Sequence, residues 1–447
     1  MTAAARAFPC ACLDFVALAS VALALACESE EATCTAQPTF TLSAPAIAPT
    51  YAGSAIEVQV RRSGTACAYE GGGADVELVA VGGGSVAPAS LTVPEAGAKV
   101  VWTLGPAPIR QTLSAKGAPD SQLALTAEVA APVVPQPFAD VHAFLLAEGI
   151  TSTTEDLAIA ADGTIALGVD GAVIEVRQSA DGKISISKRK LSGDPLPRAH
   201  GLAYDRQGTL WTADPVGGAL HAIAADGKVK THLTVVEGAA LDGPNDVAVD
   251  VADRVLLSDP CRGELYYYDP KAGKVTDIEP FDLLTEGGPN GFAFQGDTLY
   301  VVTENTTLLC PKAKKKPPVT ANLASLFRLS AKDGVFGPRT LVEGGLGVFG
   351  DGMAFDALGN LYVIIDTIAN VAIDESRVMV LRAGESKLVP FVAFKKSALL
   401  ANVAFGRGPL GETTMYAALL AIPPFTAPEL RGLVRVEVGV KGLPLLP

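Results

Sequence analysis

The chain has 447 residues, of which 49% are apolar and 19% charged, with 45 glycines and 31 prolines. That composition excludes a mini-protein and speaks against long-helical and disordered classes. A net charge of −13 repels phosphate backbones and anionic headgroups, so nucleic acid is not an expected partner.

Residues 1–26 read as an export signal: an early cation, Arg6, then an apolar run from Phe15 to Ala26 ending in Ala24-Leu25-Ala26. The run is too short for a spanning helix, which needs about 20 residues. Cys27 and the polar stretch Glu28-Ser29-Glu30-Glu31 follow, and this arrangement resembles a bacterial lipoprotein signal in which Cys27 is acylated. The protein is therefore expected in the periplasm or at the cell surface, meeting a membrane only through that lipid. Ordinary cleavage with Cys27 left as a thiol is the alternative. Cys10 and Cys12 leave with the signal, and the remaining cysteines divide by region into Cys34 with Cys67 and Cys261 with Cys310, compatible with one disulfide in each part of an exported protein.

After a linker at 27–36, residues 37–129 alternate with period two. Ile56, Val58 and Val60 face one way and Glu57, Gln59 and Arg61 the other, and the pattern returns at Val76-Leu78-Ala80, Val100-Trp102-Leu104 and Leu123-Leu125-Ala127-Val129. This predicts a β-sandwich. Its segments Gly82-Gly83-Gly84-Ser85-Val86 and Val100-Val101-Trp102-Thr103-Leu104-Gly105-Pro106, with Gln111-Thr112-Leu113, are similar to bacterial immunoglobulin-like domains of the intimin/invasin type, which implies a stalk or adhesive module. Residues 130–137, with Pro132, Pro135 and Pro137, read as a semi-rigid connector.

Residues 138–447 contain an internal repeat. Glu155-Asp156-Leu157-Ala158, His200-Gly201-Leu202-Ala203, Asn245-Asp246-Val247-Ala248, Asn290-Gly291-Phe292-Ala293, Asp351-Gly352-Met353-Ala354 and Ala401-Asn402-Val403-Ala404 share one register, at spacings of 45, 45, 45, 61 and 50 residues. These are the lengths of four-stranded propeller blades. The predicted class is all-β: a six-bladed propeller, closed by pairing an N-terminal strand with the last blade, behind an N-terminal sandwich. The 61-residue spacing places an insertion within 303–326, carrying Lys312, Lys314, Lys315 and Lys316, either a solvated loop or a basic lid.

The first positions of the six repeats would form a ring around the propeller axis: Glu155, His200, Asn245, Asn290, Asp351 and Ala401. Taken singly, Asn-Asp, Asn-Gly and Asp-Gly are also common turn formers. As a set, two carboxylates and two amide oxygens converging would repel without a counter-ion. They suit a divalent cation, calcium first, with zinc, manganese or magnesium as alternatives.

At these residues, and at Gly243-Pro244-Asn245-Asp246, Leu257-Ser258-Asp259-Pro260, Pro289-Asn290-Gly291, Asp351-Gly352-Met353 and Asn402-Val403-Ala404-Phe405-Gly406, the region resembles the regucalcin/gluconolactonase family of six-bladed propellers. The resemblance implies one divalent ion on Glu155, Asn245, Asn290 and Asp351, and a substrate-contacting Arg at Arg198. His200 stands where many members have Asn, and Glu155-Asp156-Leu157 where they have Glu-Gly-Pro. The expected activity is metal-dependent hydrolysis of a lactone or related ester, a small-molecule substrate, with Asp351 as general base and Arg198 and His200 as substrate-binding residues. The competing readings are a non-catalytic, metal-stabilised binding propeller and a surface adhesin. The chain has no GxSxG elbow and no HExxH. Its one GxGxxG, Gly345 to Gly350, leads into a predicted strand and not into a helix, so dinucleotide binding lacks its context.

Overall fold

Period-two patterning becomes strand almost everywhere it occurs in the computed structural model, which describes residues 39–44, 52–53, 55–63, 74–105, 107–127, 133, 135–310, 316–369, 372–395, 399–420 and 432–443. The export signal, Cys27, Cys34, Cys67, Lys312, Lys314 and Lys315 lie outside the described residues. No helix among the described residues is long and apolar enough to cross a membrane.

Residues 39–126 form two four-stranded antiparallel sheets. One places Thr39–Ser43, Ala55–Ser63, Ala98–Thr103 and Ser85–Ala87 side by side, and the other Ser90–Val93, Ala74–Val81, Arg110–Ala115 and Ala118–Thr126. Their inward residues, Val58, Val60, Leu78, Val100, Trp102 and Leu113 among them, share one core. The unit is no remote stalk. Ala107 and Ile109 belong to the core of the last two blades, and the buried Arg382 donates from Nε to Pro108 O at 2.9 Å and from Nη2 to Ala127 O at 3.2 Å.

The rest of the described chain is built on six sheets of four or five strands in a ring, flanked by the short helix Val141–Ala147 and a two-stranded ladder of Val235–Val236 with Ala239–Ala240. Their innermost strands are Leu157–Ile159, Leu202–Tyr204, Val247–Val249, Gly288–Gln295, Phe349–Phe355 and Leu399–Phe405. Each touches the next, and the last touches the first. One hydrophobic cluster fills each of the six blade–blade junctions, because strands of an inner sheet are covered on both faces and read as Val, Ile, Leu and Ala with little polar interruption. The ring is closed by Gln136–Asp140, which pairs antiparallel with Gly432–Glu437 at the outer edge of the sixth sheet. This strand starts inside the stretch expected as a connector, and Pro137 is tolerated there because an edge strand has one side free of ladder bonds.

The insertion lies between Thr298–Glu304 and Ala324–Lys332. Its described residues are tied down: Asn305 Nδ2 donates to Pro318 O at 2.8 Å and Ala321 O at 3.1 Å, and Thr307 Oγ1 to Pro317 O at 2.7 Å. Cys310 is bonded to Cys261 of the third blade, across 49 residues of chain. Closing a loop of that length removes freedom from the unfolded state, so the double variant Cys261→Ser/Cys310→Ser should lose about 2–4 kcal/mol of stability. Urea denaturation should register that loss, and addition of reductant should lower the wild type to the same level.

Candidate functional site

In the first three blades the inner strand begins two residues after the repeat position, Glu155, His200 or Asn245; in the last three the repeat position, Asn290, Asp351 or Ala401, is the third residue of the strand, so all six stand near the strand entries around the axis. In the last three blades the ladder slips at these entries, between Pro289 and Phe292, Gly350 and Met353, and Leu400 and Asn402. Such bulges release a residue from pairing and re-aim its side chain. In the third blade, Asp259 holds the approach to Asn245: its carboxylate accepts from Asp242 N at 2.9 Å and Gly243 N at 3.1 Å.

Glu155 is already partnered. Oε1 lies 2.7 Å from His200 Nε2, and Oε2 lies 3.4 Å from Arg198 Nη2. Arg198 Nε donates to His200 Nδ1 at 3.0 Å, so the proton of that imidazole sits on Nε2, directed at Glu155. Arg198 also spends Nη1 on Asp170, at 2.8 Å. Burial raises the Glu155 pKa, and His200 and then Arg198 overcome that rise, leaving it below the ordinary carboxylate value.

The other side of the axis has no such balance. Burial pushes the Asp351 carboxyl well up, and the charges of Glu155, Glu304, Asp366 and Asp246 push it further. Glu304 is raised in the same way, by burial, Glu155 and Asp366, against a smaller lowering by the neighbouring Asn290 amide. Asp366, bonded to Ser376 Oγ, is raised by burial to about 8. Glu304 Oε1 and Asn290 Oδ1 are buried without any hydrogen-bond partner. Orphaned oxygen acceptors beside uncompensated carboxyls are the donor set of an oxygen-coordinated cation, so the residues present fit a hard divalent ion. Among the described residues, however, no three His, Cys, Asp or Glu side chains form a ready-made cage, and amide oxygens would have to complete the site.

Glu304 and Asp366 were not singled out in the sequence. Both lie on the second strand of their blades, Glu304 as the last residue of Thr298–Glu304 and Asp366 within Leu361–Ala369, and each pairs with a residue two before the ring position, Gly288 and Phe349. An acid following an apolar run, in Tyr300-Val301-Val302-Thr303-Glu304 and Val363-Ile364-Ile365-Asp366, was the available signal.

One residue further along each inner strand is a second ring: Asp156, Gly201, Asp246, Gly291, Gly352 and Asn402. Asp156 accepts from Leu157 N, from Leu202 N of the next blade and from Asn402 Nδ2. Asp246 accepts from Val247 N at 2.7 Å, and its carboxyl reaches toward Phe292 N of the next blade. Each acid thus reaches over a glycine to tie its neighbour. A Cβ on Gly352 would collide with the Asn402 side chain. Burial raises Asp246 to about 7 and, with Asp246 as neighbour, lifts Asp156 well above its ordinary value. Beyond this ring a cavity of about 780 Å³ is lined by Tyr204, Phe294, Phe355, Arg206 and Arg407 and by none of the first-ring residues.

No family model matches this sequence, and no curated protein matches it. Among solved structures, the chain is similar to a calcium-binding protein, regucalcin, of Agrobacterium tumefaciens, with 17% identity, 71% of this chain and 98% of that one covered, and a TM-score of 0.49. It is also similar to a gluconolactonase of Xanthomonas campestris, with 16% identity, coverage of 69% and 96%, and a TM-score of 0.46. A virginiamycin B lyase of Staphylococcus aureus matches with 12% identity, coverage of 89% and 99%, and a TM-score of 0.43. The gluconolactonase- and regucalcin-like neighbours have propeller-type folds. Identities this low assign no residue a role.

Two outcomes test the site as described. Gly352→Ala should destabilise the protein by about 1–3 kcal/mol, the usual range for overpacking, measured by urea denaturation. The pH dependence follows from the raised acids. Folded protein retains the protons of Asp366 (about 8) and Asp246 (about 7) that the unfolded chain releases near pH 4, so stability falls as pH rises from about 4 to 8. Melting of protein stripped with EDTA should therefore drop between pH 5 and pH 8, and Asp366→Asn should flatten the slope.

Proposed function

We propose that the protein is a gluconolactonase-type hydrolase that opens a lactone or related ester with a divalent cation held at the first ring. The observation that carries this reading is the meeting of two carboxyls without a cationic partner, half-buried Asp351 and buried Glu304, with the orphaned Asn290 Oδ1. Glu155, Asn245, Asn290 and Asp351 are the residues assigned to the ion, calcium in preference to zinc, manganese or magnesium. A bound cation of this kind supplies Lewis-acid polarisation of the substrate carbonyl and lowers the pKa of nearby water.

The protein's own groups divide the remaining work. Asp351 accepts the proton of the attacking water as the new carbon–oxygen bond forms, and returns it to the ring oxygen as the old bond breaks, so the product is the hydroxy acid. His200 and Arg198 hold Glu155 from both sides, at 2.7 and 3.4 Å, and so fix the direction of its lone pairs. Arg198 has most of its donors engaged within the protein, so its part in substrate contact is limited to the remaining edge of the guanidinium. That engagement is also what favours the second reading, a cation-stabilised propeller that binds a ligand without turning it over.

We read the sandwich as an immunoglobulin-like module. Its first sheet holds the first, second, sixth and fourth strands in that order, which supports an A-B-E-D sheet. We read the chain as exported and anchored through Cys27. The Cys261–Cys310 bond supports an oxidising compartment.

Purified protein assayed against a panel of aldonolactones and acyl lactones with calcium, manganese or zinc should show cation-dependent ring opening. Asp351→Asn should lower kcat by about 100-fold or more, the scale of a lost general base. Undiminished turnover in that variant would overturn the assignment, and cation-dependent melting without turnover would establish the binding reading.

A further inference from the structure

Glu304 carries a role that the sequence did not suggest. It is the last residue of the strand Thr298–Glu304, is 2% exposed, and lies in the ladder opposite Gly288, two residues before Asn290. Asn290 is likewise 2% exposed. The Asn290 amide nitrogen faces the Glu304 carboxylate, while Asn290 Oδ1, Glu304 Oε1 and Thr306 Oγ1 are buried with no partner. Among the described residues no cationic side chain pairs with Glu304, and the charged groups acting on it are Glu155 and Asp366, both acids.

An amide can face a neighbour with its nitrogen or with its oxygen. By taking the Nδ2 end, Glu304 leaves the oxygen end of Asn290 as the free one. A carboxylate that orients a ligand in this way is the usual supporting contact behind a metal site. A buried acceptor left without a donor costs about 1–3 kcal/mol, and the unpaired Glu304 oxygen and the surplus of negative charge are relieved by a retained proton or by a cation.

We propose that Glu304 is a positioning residue of the cation site, holding Asn290 so that Oδ1 is presented to the ion and adding a third carboxylate to Glu155 and Asp351. This rests on the cation reading given above. It raises the negative charge of the site by one relative to the set read from the sequence, which favours a hard divalent cation over a monovalent one.

The test is calorimetric titration of calcium into EDTA-stripped wild type, Glu304→Gln and Glu304→Asp, with melting curves of each in the stripped state. Glu304→Gln keeps an oxygen for Asn290 but loses the charge. It should bind calcium about 10–100-fold more weakly, the range for loss of a supporting contact, and its stripped form should melt higher than wild type, because a neutral amide replaces an unpaired buried acid. A purely structural role would lower that melting temperature and leave affinity alone. Glu304→Asp keeps the charge at shorter reach and should fall between the two. Wild-type affinity in Glu304→Gln would overturn the proposal while the cation reading stood. Should the wild type bind no calcium, the cation reading itself would fail, and this proposal with it. If Glu304→Gln does not fold, Glu304→Asp decides, with several-fold weakening in support and unchanged affinity against.

Discussion

Carboxyl groups gathered around one axis, buried at Glu304 and Asp366 and half-buried at Glu155 and Asp351, with too few positive charges to neutralise them, are the constraint on which the remaining features turn. Glu155 is balanced by Arg198 and His200, but Asp351, Glu304 and Asp366 have no cationic partner among their described contacts. In a low-dielectric channel such groups hold protons or share a cation. Folding brings them together because Glu155 and Asp351 stand near the entries of innermost strands and Glu304 and Asp366 on second strands paired with such strands, and six blade junctions lock those strands in place. The acids are thus concentrated by hydrophobic packing that has no need of them.

Beneath that level, Asp156, Asp246 and Asn402 convert the same geometry into structure. Each caps the N–H that follows it in the chain, and the two acids also reach the next blade across a glycine. The alternation of acid or amide with glycine in the repeat is therefore steric as much as electrostatic. Two successive residues of one short motif serve different ends, the first facing the site and the second fastening the ring.

The repeat at 45-residue intervals was enough to read six sheets, the innermost strand of each and the level of the ring, because a period-two apolar pattern with a fixed repeat length leaves few architectures open. The bond between Cys261 and Cys310 was legible as a possibility from the cysteine count alone. Glu304 and Asp366 escaped because they belong to the second strand of each blade, and only a ladder register brings Glu304 beside Asn290. The docking of the sandwich through Arg382, Ala107 and Ile109 also escaped, since single residues in a loop carry no period. His200 read as a substrate contact, but its two ring nitrogens are occupied by Glu155 and Arg198, an arrangement that depends on side-chain geometry across two blades.

The strand Gln136–Asp140 closes the ring by pairing with Gly432–Glu437. During synthesis it leaves the ribosome long before its partner, separated by some 300 residues, about 15–60 s at ordinary elongation rates. Throughout that interval its hydrogen-bonding edge has no ladder to join, while the sandwich ahead of it has all its strands. Completion of the toroid is therefore a terminal event, and a nascent chain truncated in the sixth blade would leave both unmatched edges available to a second molecule.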